Sequence, residues 1–528
     1  MKKLLFYCAS LLLVATFCWQ GCKKSDLENA ILTEHTAEYA FPLFNTELKV
    51  SDLIGNILEE NTVGDTIIIN PDNTVTLSYS GDITESKAVD IFNFLDTLIP
   101  IVVDSSFFTL PVKTPDGVQL SRVDLSGGTL TMAIKNTMTE TIKITFTIPQ
   151  LSLNGQVYSY TFTIAPNGFA FTPTINLDGW KLNSSNNLIT FTYDAYLPDG
   201  TRIARLPPNG SLGAVIGAMD KATFYYLEGF WGKVTYGLST DTIDIDINNT
   251  NLDGNVKVKN PKITITVFNS FGFPTRGLIK YLKFVGKNGD LIELQSPLIQ
   301  QGSDVGIDFA YPSLALNEVG QSKATTFYFD DTNSNIEELF NAQPVQMIYQ
   351  VDGLANADNN TALLGFVTDS SSVRMNVKVE LLLEGQLKDF GADQTLNLDF
   401  GSFADSTAFE DAEFKLVTEN TMALSTNLQV YFKDVNGNTI DSLFVGAAPD
   451  IIKAGPVDPI TGFTTGSTRT ETFIPMSAVR FENLRKNAKI AFLKTSFTSA
   501  QNGTIPIKIL ANQSAVVKMG VRVKKKIG

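Results

Sequence analysis

The side chains that support redox, metal or nucleophilic chemistry are scarce in this chain and poorly placed for it. All three cysteines, Cys8, Cys18 and Cys22, lie in the first 22 residues, and the following 506 contain none. The only histidine is His35. A Ser-His-Asp triad, a multi-histidine metal site, a cysteine zinc site and a cysteine nucleophile are therefore excluded from the body of the chain. Carboxylates, Tyr, Lys and Arg remain. Asp241, Asp244, Asp246, Asn248 and Asp253 crowd one segment and supply the hard oxygen ligands that Ca²⁺ takes. Asp244 and Asp246 alternate with Ile243, Ile245 and Ile247, however, which predicts the solvated face of a strand, and no EF-hand glycine or terminal glutamate is in place. Asp330, Asp331, Asn333 and Asn335, with Glu337 and Glu338, form a second oxygen-rich run. Ser334 or Asn335 here reads as a helix N-cap, with the two glutamates in the first turn. Gly210–Gly217 lacks the lysine and preceding strand of a phosphate loop and reads as a small-residue loop or short helix. Paired carboxylates for glycoside hydrolysis are defined by their separation in space and leave no signature here. No catalytic residue, metal ligand or cofactor is assigned, and the chain is expected not to be an enzyme.

Phe224–Trp231 is the densest aromatic run. Tyr226, Phe230 and Trp231 are its candidates for a platform that grips a sugar ring. Alternating aromatics in a strand otherwise pack a core or an inter-domain contact, each burying a large apolar area. The corresponding stretch further on reads Val379-Glu380-Leu381-Leu382-Leu383, which points to packing.

Lys2 and Lys3 open the chain, Leu4–Cys18 is apolar, and Gly21 precedes Cys22. An apolar run of about fifteen residues falls short of the ~20 that span a bilayer, so this is the layout of a cleaved secretory leader. It also resembles a bacterial lipoprotein signal, in which a small residue precedes the cysteine that becomes the lipidated N-terminus; Phe17 is too bulky to serve Cys18 in that way. The resemblance implies a signal peptide over 1–21, lipid attachment (palmitate among the acyl chains) at Cys22, and a tether over 22–40. Two or three acyl chains make a durable anchor. Acidic residues soon after the cysteine, here Asp26 and Glu28 behind Lys23 and Lys24, resemble the surface-export signal of Bacteroidota lipoproteins. That implies an outer-membrane location, with the cell surface rather than the periplasmic face expected. Asp65-Thr66-Ile67, Asp96-Thr97-Leu98, Asp241-Thr242-Ile243 and Asp441-Ser442-Leu443 resemble the O-glycosylation acceptor of the same group.

Without the leader the chain carries 39 basic and 55 acidic residues, a net charge of −16. Lys524-Lys525-Lys526 is the one basic cluster, so no nucleic acid is expected as a partner. The expected partners are the membrane, through the lipid, and a polysaccharide or another envelope protein.

These residues sit in a chain whose periodicity is mostly two. Val118–Leu125, Thr129–Lys135, Ile142–Ile148, Thr242–Ile247, Lys262–Phe268 and Met375–Leu383 predict strands, and Asn154-Gly155, Asn288-Gly289, Asn436-Gly437 and Asn502-Gly503 predict tight turns. Short helices are predicted over 52–59, 86–99, 335–341 and 478–485. The strands recur as sets. Leu227-Glu228-Gly229 is followed by Thr242–Ile247, Leu383-Glu384-Gly385 by Thr395–Phe400, and Ser121–Leu125 matches the second half of that pattern. An apolar strand then closes on Asn136, Asn269 and Asn420, spaced by 133 and 151 residues. This predicts domain duplication, with β-units over 104–229, 230–385 and 386–528 behind a divergent leading segment over 41–103. The fold expected is mainly β, tandem immunoglobulin-like sandwiches with few helices; the alternative is one elongated shared sheet or barrel.

Pro261–Pro274 and Leu130–Asn136 resemble the core strand of LEA-type-2 (water-stress) sandwich domains, over about forty residues per unit. The leader and repeats together resemble uncharacterised Bacteroidota lipoproteins. The combined expectation is a lipid-anchored envelope protein acting as a non-catalytic binding or structural module. The alternatives are a carboxylate-dependent polysaccharide-degrading enzyme and a hydrophobic-ligand carrier with a long apolar tunnel.

Overall fold

Strands form where β-branched residues alternate with polar ones, and the regular ones bury every second side chain. Lys262–Asn269 is the plainest case: Ile263, Ile265 and Val267 face inward while Thr264 and Thr266 face out. The computed structural model describes residues 35–50, 65–92, 97–103, 107–112, 114, 117–203, 212–245, 255–299, 304–398, 409–446 and 449–527. The chain is mainly β, in several antiparallel sheets with few short helices, and no sheet of the described strands closes into a barrel.

The strands fall into three sets with one pairing scheme. An opening strand ends at the asparagine and the chain crosses to form a second strand. The second strand is paired on one side by a hairpin and on the other by a later strand. The opening strand is paired by an edge strand and by the last strand of the set. In the first set these are Gln119–Lys135, Ile142–Leu153, Gln156–Ile164, Leu188–Tyr196, Phe169–Phe171 and Leu212–Phe230. In the second they are Lys262–Asn269, Thr275–Gly286, Leu291–Glu293, Pro344–Ala355, Lys323–Phe329 and Ser372–Leu382. In the third they are Phe409–Asn420, Leu424–Lys433, Thr439–Ser442, Ile490–Ser499, Thr468–Met476 and Ser514–Ile527. In the first set Lys181–Asn183 bridges the two halves, so they form one sheet.

The three asparagines are fully buried and do the same job. Asn136, Asn269 and Asn420 accept the N–H of Met138, Phe271 and Met422, two residues on. Their amide groups donate to backbone carbonyls of a later loop, Ala165, Ala310 and Lys453 respectively. Each is a clamp that satisfies the backbone where the chain passes from the opening strand to the second strand.

The leading segment builds no separate sheet. His35–Lys49 pairs with the last strand of the third set, Val75–Lys87 with that of the second, and Thr97–Val103 with that of the first. The chain thus climbs from the third set to the first and then returns through all three. The register places His35 opposite Ile527, so the start and finish of the described chain lie at the same end.

Neighbouring sets are joined by short three-stranded ribbons. Gln119–Asp124 pairs with Tyr226–Phe230, which pairs with Leu364–Thr368. Asn255–Val258 pairs with Glu384–Lys388, which pairs with Ile507–Lys508. The repeated Leu-Glu-Gly therefore marks the exit strand of one set as it enters the next. A β-carbon on Gly229 would meet the Gln119 carbonyl oxygen, and one on Gly385 the Lys257 carbonyl oxygen. One continuous apolar core runs through the first and second sets, and a second core fills the third.

Several local expectations are corrected. The helix over 86–99 is only Ala88–Ile91, with a strand from Thr97, because pairing with Leu212–Met219 overrides the local pattern. From Leu212 the Gly210–Gly217 stretch is strand rather than loop or helix, held between Thr97–Val103 and the opening strand. The first-set partner of Val234–Asp244 and Phe390–Asn397 is Phe107–Pro111, not Ser121–Leu125, since these three occupy the same place in their sheets. Asn154 and Gly155 both take positive φ, whereas at Asn288-Gly289 and Asn436-Gly437 only the glycine does. The helices Ile336–Asn341 and Ala478–Asn487 stand where predicted, while 52–59 lies outside the described residues.

Candidate functional site

The candidate platform residues lie at the ribbon between the first and second sets. Strand alternation splits them between its two faces. Trp231 points inward and is 1% exposed; its indole stacks on Phe273 at 4.4 Å and meets Phe92 edge-on at 5.0 Å. With Phe271 and Tyr236 these rings form an aromatic plug between the sets. Trp231 is therefore packing, and cannot present a face to a ligand. Tyr226 and Phe230 lie on the outer face and are half-buried.

Around Tyr226 the outer face is polar and ordered. Arg122 grips Asp124 through two hydrogen bonds of 2.8 and 2.6 Å, and its guanidinium lies 5.1 Å from the centre of the Tyr226 ring. The other side of that ring stacks on Phe366 at 5.8 Å. The Tyr226 hydroxyl donates to Glu228 at 2.7 Å, and Lys181 stands 3.9 Å from Asp124. Burial, then the bond to Glu228, push the Tyr226 phenol well above its ordinary range, so it stays protonated. The bond to Asp124 raises Arg122 further, so it stays charged. Both carboxylates are thus engaged by donors. With its ring already flanked by Arg122 and Phe366, the cluster can meet a partner through its polar groups.

In each set the edge strand paired with the opening strand carries a solvent-open aromatic ring beside a lysine. Phe169 lies 5.5 Å from the Lys135 ammonium, Tyr328 4.7 Å from Lys262, and Phe473 5.3 Å from Lys415. Sequence reading missed these. The available signals were Phe169-Ala170-Phe171, with two rings on one side of a strand, and the short run Phe327-Tyr328-Phe329; Phe473 stands alone between Thr472 and Ile474.

The oxygen-rich runs hold turns and strands. Asp244 is exposed and accepts from Gln346; Asp246, Asn248 and Asp253 lie outside the described residues. Asp330 accepts from the Thr332 hydroxyl and N–H. Asn335 precedes the helix without capping it, its side chain instead tying the strand end at Glu293 and Gln295. Among the described residues no three His, Cys, Asp or Glu side chains gather as a metal site, and no helix is long and apolar enough to cross a membrane. Cys22 lies outside the described residues. In the second set, between its two sheets, Ile265, Val267, Leu282, Phe327, Met347 and Val377 line an apolar void of about 30 Å³.

No protein-family model matches the chain, and no curated protein matches it. Among solved structures it is similar to a "putative secreted protein" of Parabacteroides distasonis, at 11% identity over 93% of this chain and 100% of that one, with a TM-score of 0.31. It is also similar to a triple jelly-roll structure from an archaeal virus, at 10% identity over 95% and 93% of the two chains and a TM-score of 0.12. A third is the tandem CBM22 domain of Xyn10C from Paenibacillus barcinonensis, at 8% identity over 57% and 87% and a TM-score of 0.14. Scores this low assign neither fold family nor activity.

Proposed function

We propose that this is a lipid-anchored protein of the outer membrane, displayed at the cell surface, whose three β-units act as a non-catalytic binding or structural module. One observation carries the reading: the out-and-back strand pairing. It links the three sets of strands and puts the starting strand at one end, which suits three units (104–229, 230–385 and 386–528) held away from a point of attachment. Lipid on Cys22 would hold the third unit near the membrane and leave the first outermost. The partner is a polysaccharide or another envelope protein. The solvent-open ring beside a lysine in each unit suits a partner that itself repeats along its length. Labelled palmitate fed to the native host tests the anchor. The wild-type protein should carry label and sediment with the envelope, and Cys22→Ser should do neither; a wild-type protein without label contradicts the reading.

A further inference from the structure

The end of the third set where the described chain starts brings several lysines and two protruding valines together. There the opening strand begins opposite Lys525, and the second strand finishes at Lys433, opposite Ile490. The helix Ala478–Asn487 covers this end, with Phe481 against Phe414 and Phe414 against Phe432. Two valines stand out into solvent: Val435 at the tip of a turn, 77% exposed, and Val479 on the helix, 81% exposed. Val479, Asn483 and Lys486 form one exposed stripe of that helix. Lys489, Lys524 and Lys525 lie at the same sheet ends.

Among the described residues, several acids at this end are already engaged. Arg480 holds Asp441, Arg485 and Lys486 hold Glu482, and Arg522 and Lys524 share Glu38. Asp434 accepts backbone N–H groups of its own turn, and Asp411 stands opposite Lys524. Lys489 and Lys525 have no ion pair among the described residues. Protruding apolar side chains ringed by lysines are the composition of a surface that lies in a lipid interface. Position names the occupant. Only twelve residues separate Cys22 from His35, a reach of at most about 45 Å, and His35 enters at this end.

We infer that this end of the third unit docks on anionic lipid headgroups, with Val435 and Val479 entering the interface and Lys486, Lys489, Lys524 and Lys525 meeting the phosphates. The orientation rests on the lipid-anchor reading, but the contact is a property of the folded surface and can be measured without the lipid. The mature chain carrying Cys22→Ser is sedimented with vesicles of phosphatidylglycerol and phosphatidylethanolamine, and with vesicles of phosphatidylcholine alone. Binding is expected to the first only, and its release at about 0.5 M salt, where charges are screened within a few ångströms. Replacing the four lysines by glutamate should weaken binding at least tenfold, since each lysine near such a surface contributes about fivefold. Val479→Asp, at an open helix position, should weaken it with an unchanged melting temperature, and serves if the fourfold variant does not fold. Absence of binding to the anionic vesicles at low salt, equal binding to both lipids, or wild-type binding by folded variants would overturn the inference. Because this protein has no lipid, its result is independent of the palmitate experiment.

Discussion

Asn420 donates to the Leu424 carbonyl at 2.6 Å and to Lys453 at 3.0 Å, while accepting from Met422 at 2.9 Å. Removing that side chain strands three backbone groups, two of them buried, at the point where the third set changes sheet. Asn420→Ala should therefore cost about 2–3 kcal/mol, read as a lowered urea midpoint for a probe in the third set. An unchanged midpoint would mean that water or a shift of the loop replaces the clamp. The positions of Asn136, Asn269 and Asn420 were legible, because an apolar strand closing on asparagine recurs at domain-sized spacing. Their role was not, because the accepting carbonyls of Ala165, Ala310 and Lys453 come from loops 29, 41 and 33 residues further on. Trp231 shows the converse. Its run suggested either packing or a platform, and only the stack on Phe273, 42 residues away, decides for packing. For Tyr226, Glu228 was in plain view two residues on, whereas Arg122 and Phe366 arrive from other strands.

At the scale of elements, the two ribbons between sets explain why Leu-Glu-Gly repeats. Gly229 and Gly385 each lie against a carbonyl oxygen of the entering strand, where no β-carbon fits. Gly229→Ala should open the ribbon between the first and second sets, and Gly385→Ala that between the second and third. Limited proteolysis should then cut each variant at its own junction while the wild type resists; identical digestion patterns for all three proteins would refute the assignment. The strands were the most legible elements, since a period of two is a local property. The helix over 86–99 and the loop over Gly210–Gly217 misled for one reason: both segments are partnered by strands distant in sequence, and pairing prevails over local preference.

For the whole molecule, the sequence showed three similar units in a row but not the path that joins them. The leading segment looked like a divergent fourth piece because its strands are short of a set. They complete the other three, in reverse order, and nothing in a linear repeat announces pairing between residue 35 and residue 527. That path makes a directional prediction: Asn436 lies at the end where the described chain starts, and Glu140, beside the clamp of Asn136, lies at the far tip of the first set. The body has no cysteine, so Asn436→Cys and Glu140→Cys can each be labelled singly with a fluorophore in the lipidated protein held in bilayers. A quencher fixed at the lipid headgroups should dim the label at position 436 strongly and leave that at 140 bright. Equal quenching at both positions, or stronger quenching at 140, would contradict the account.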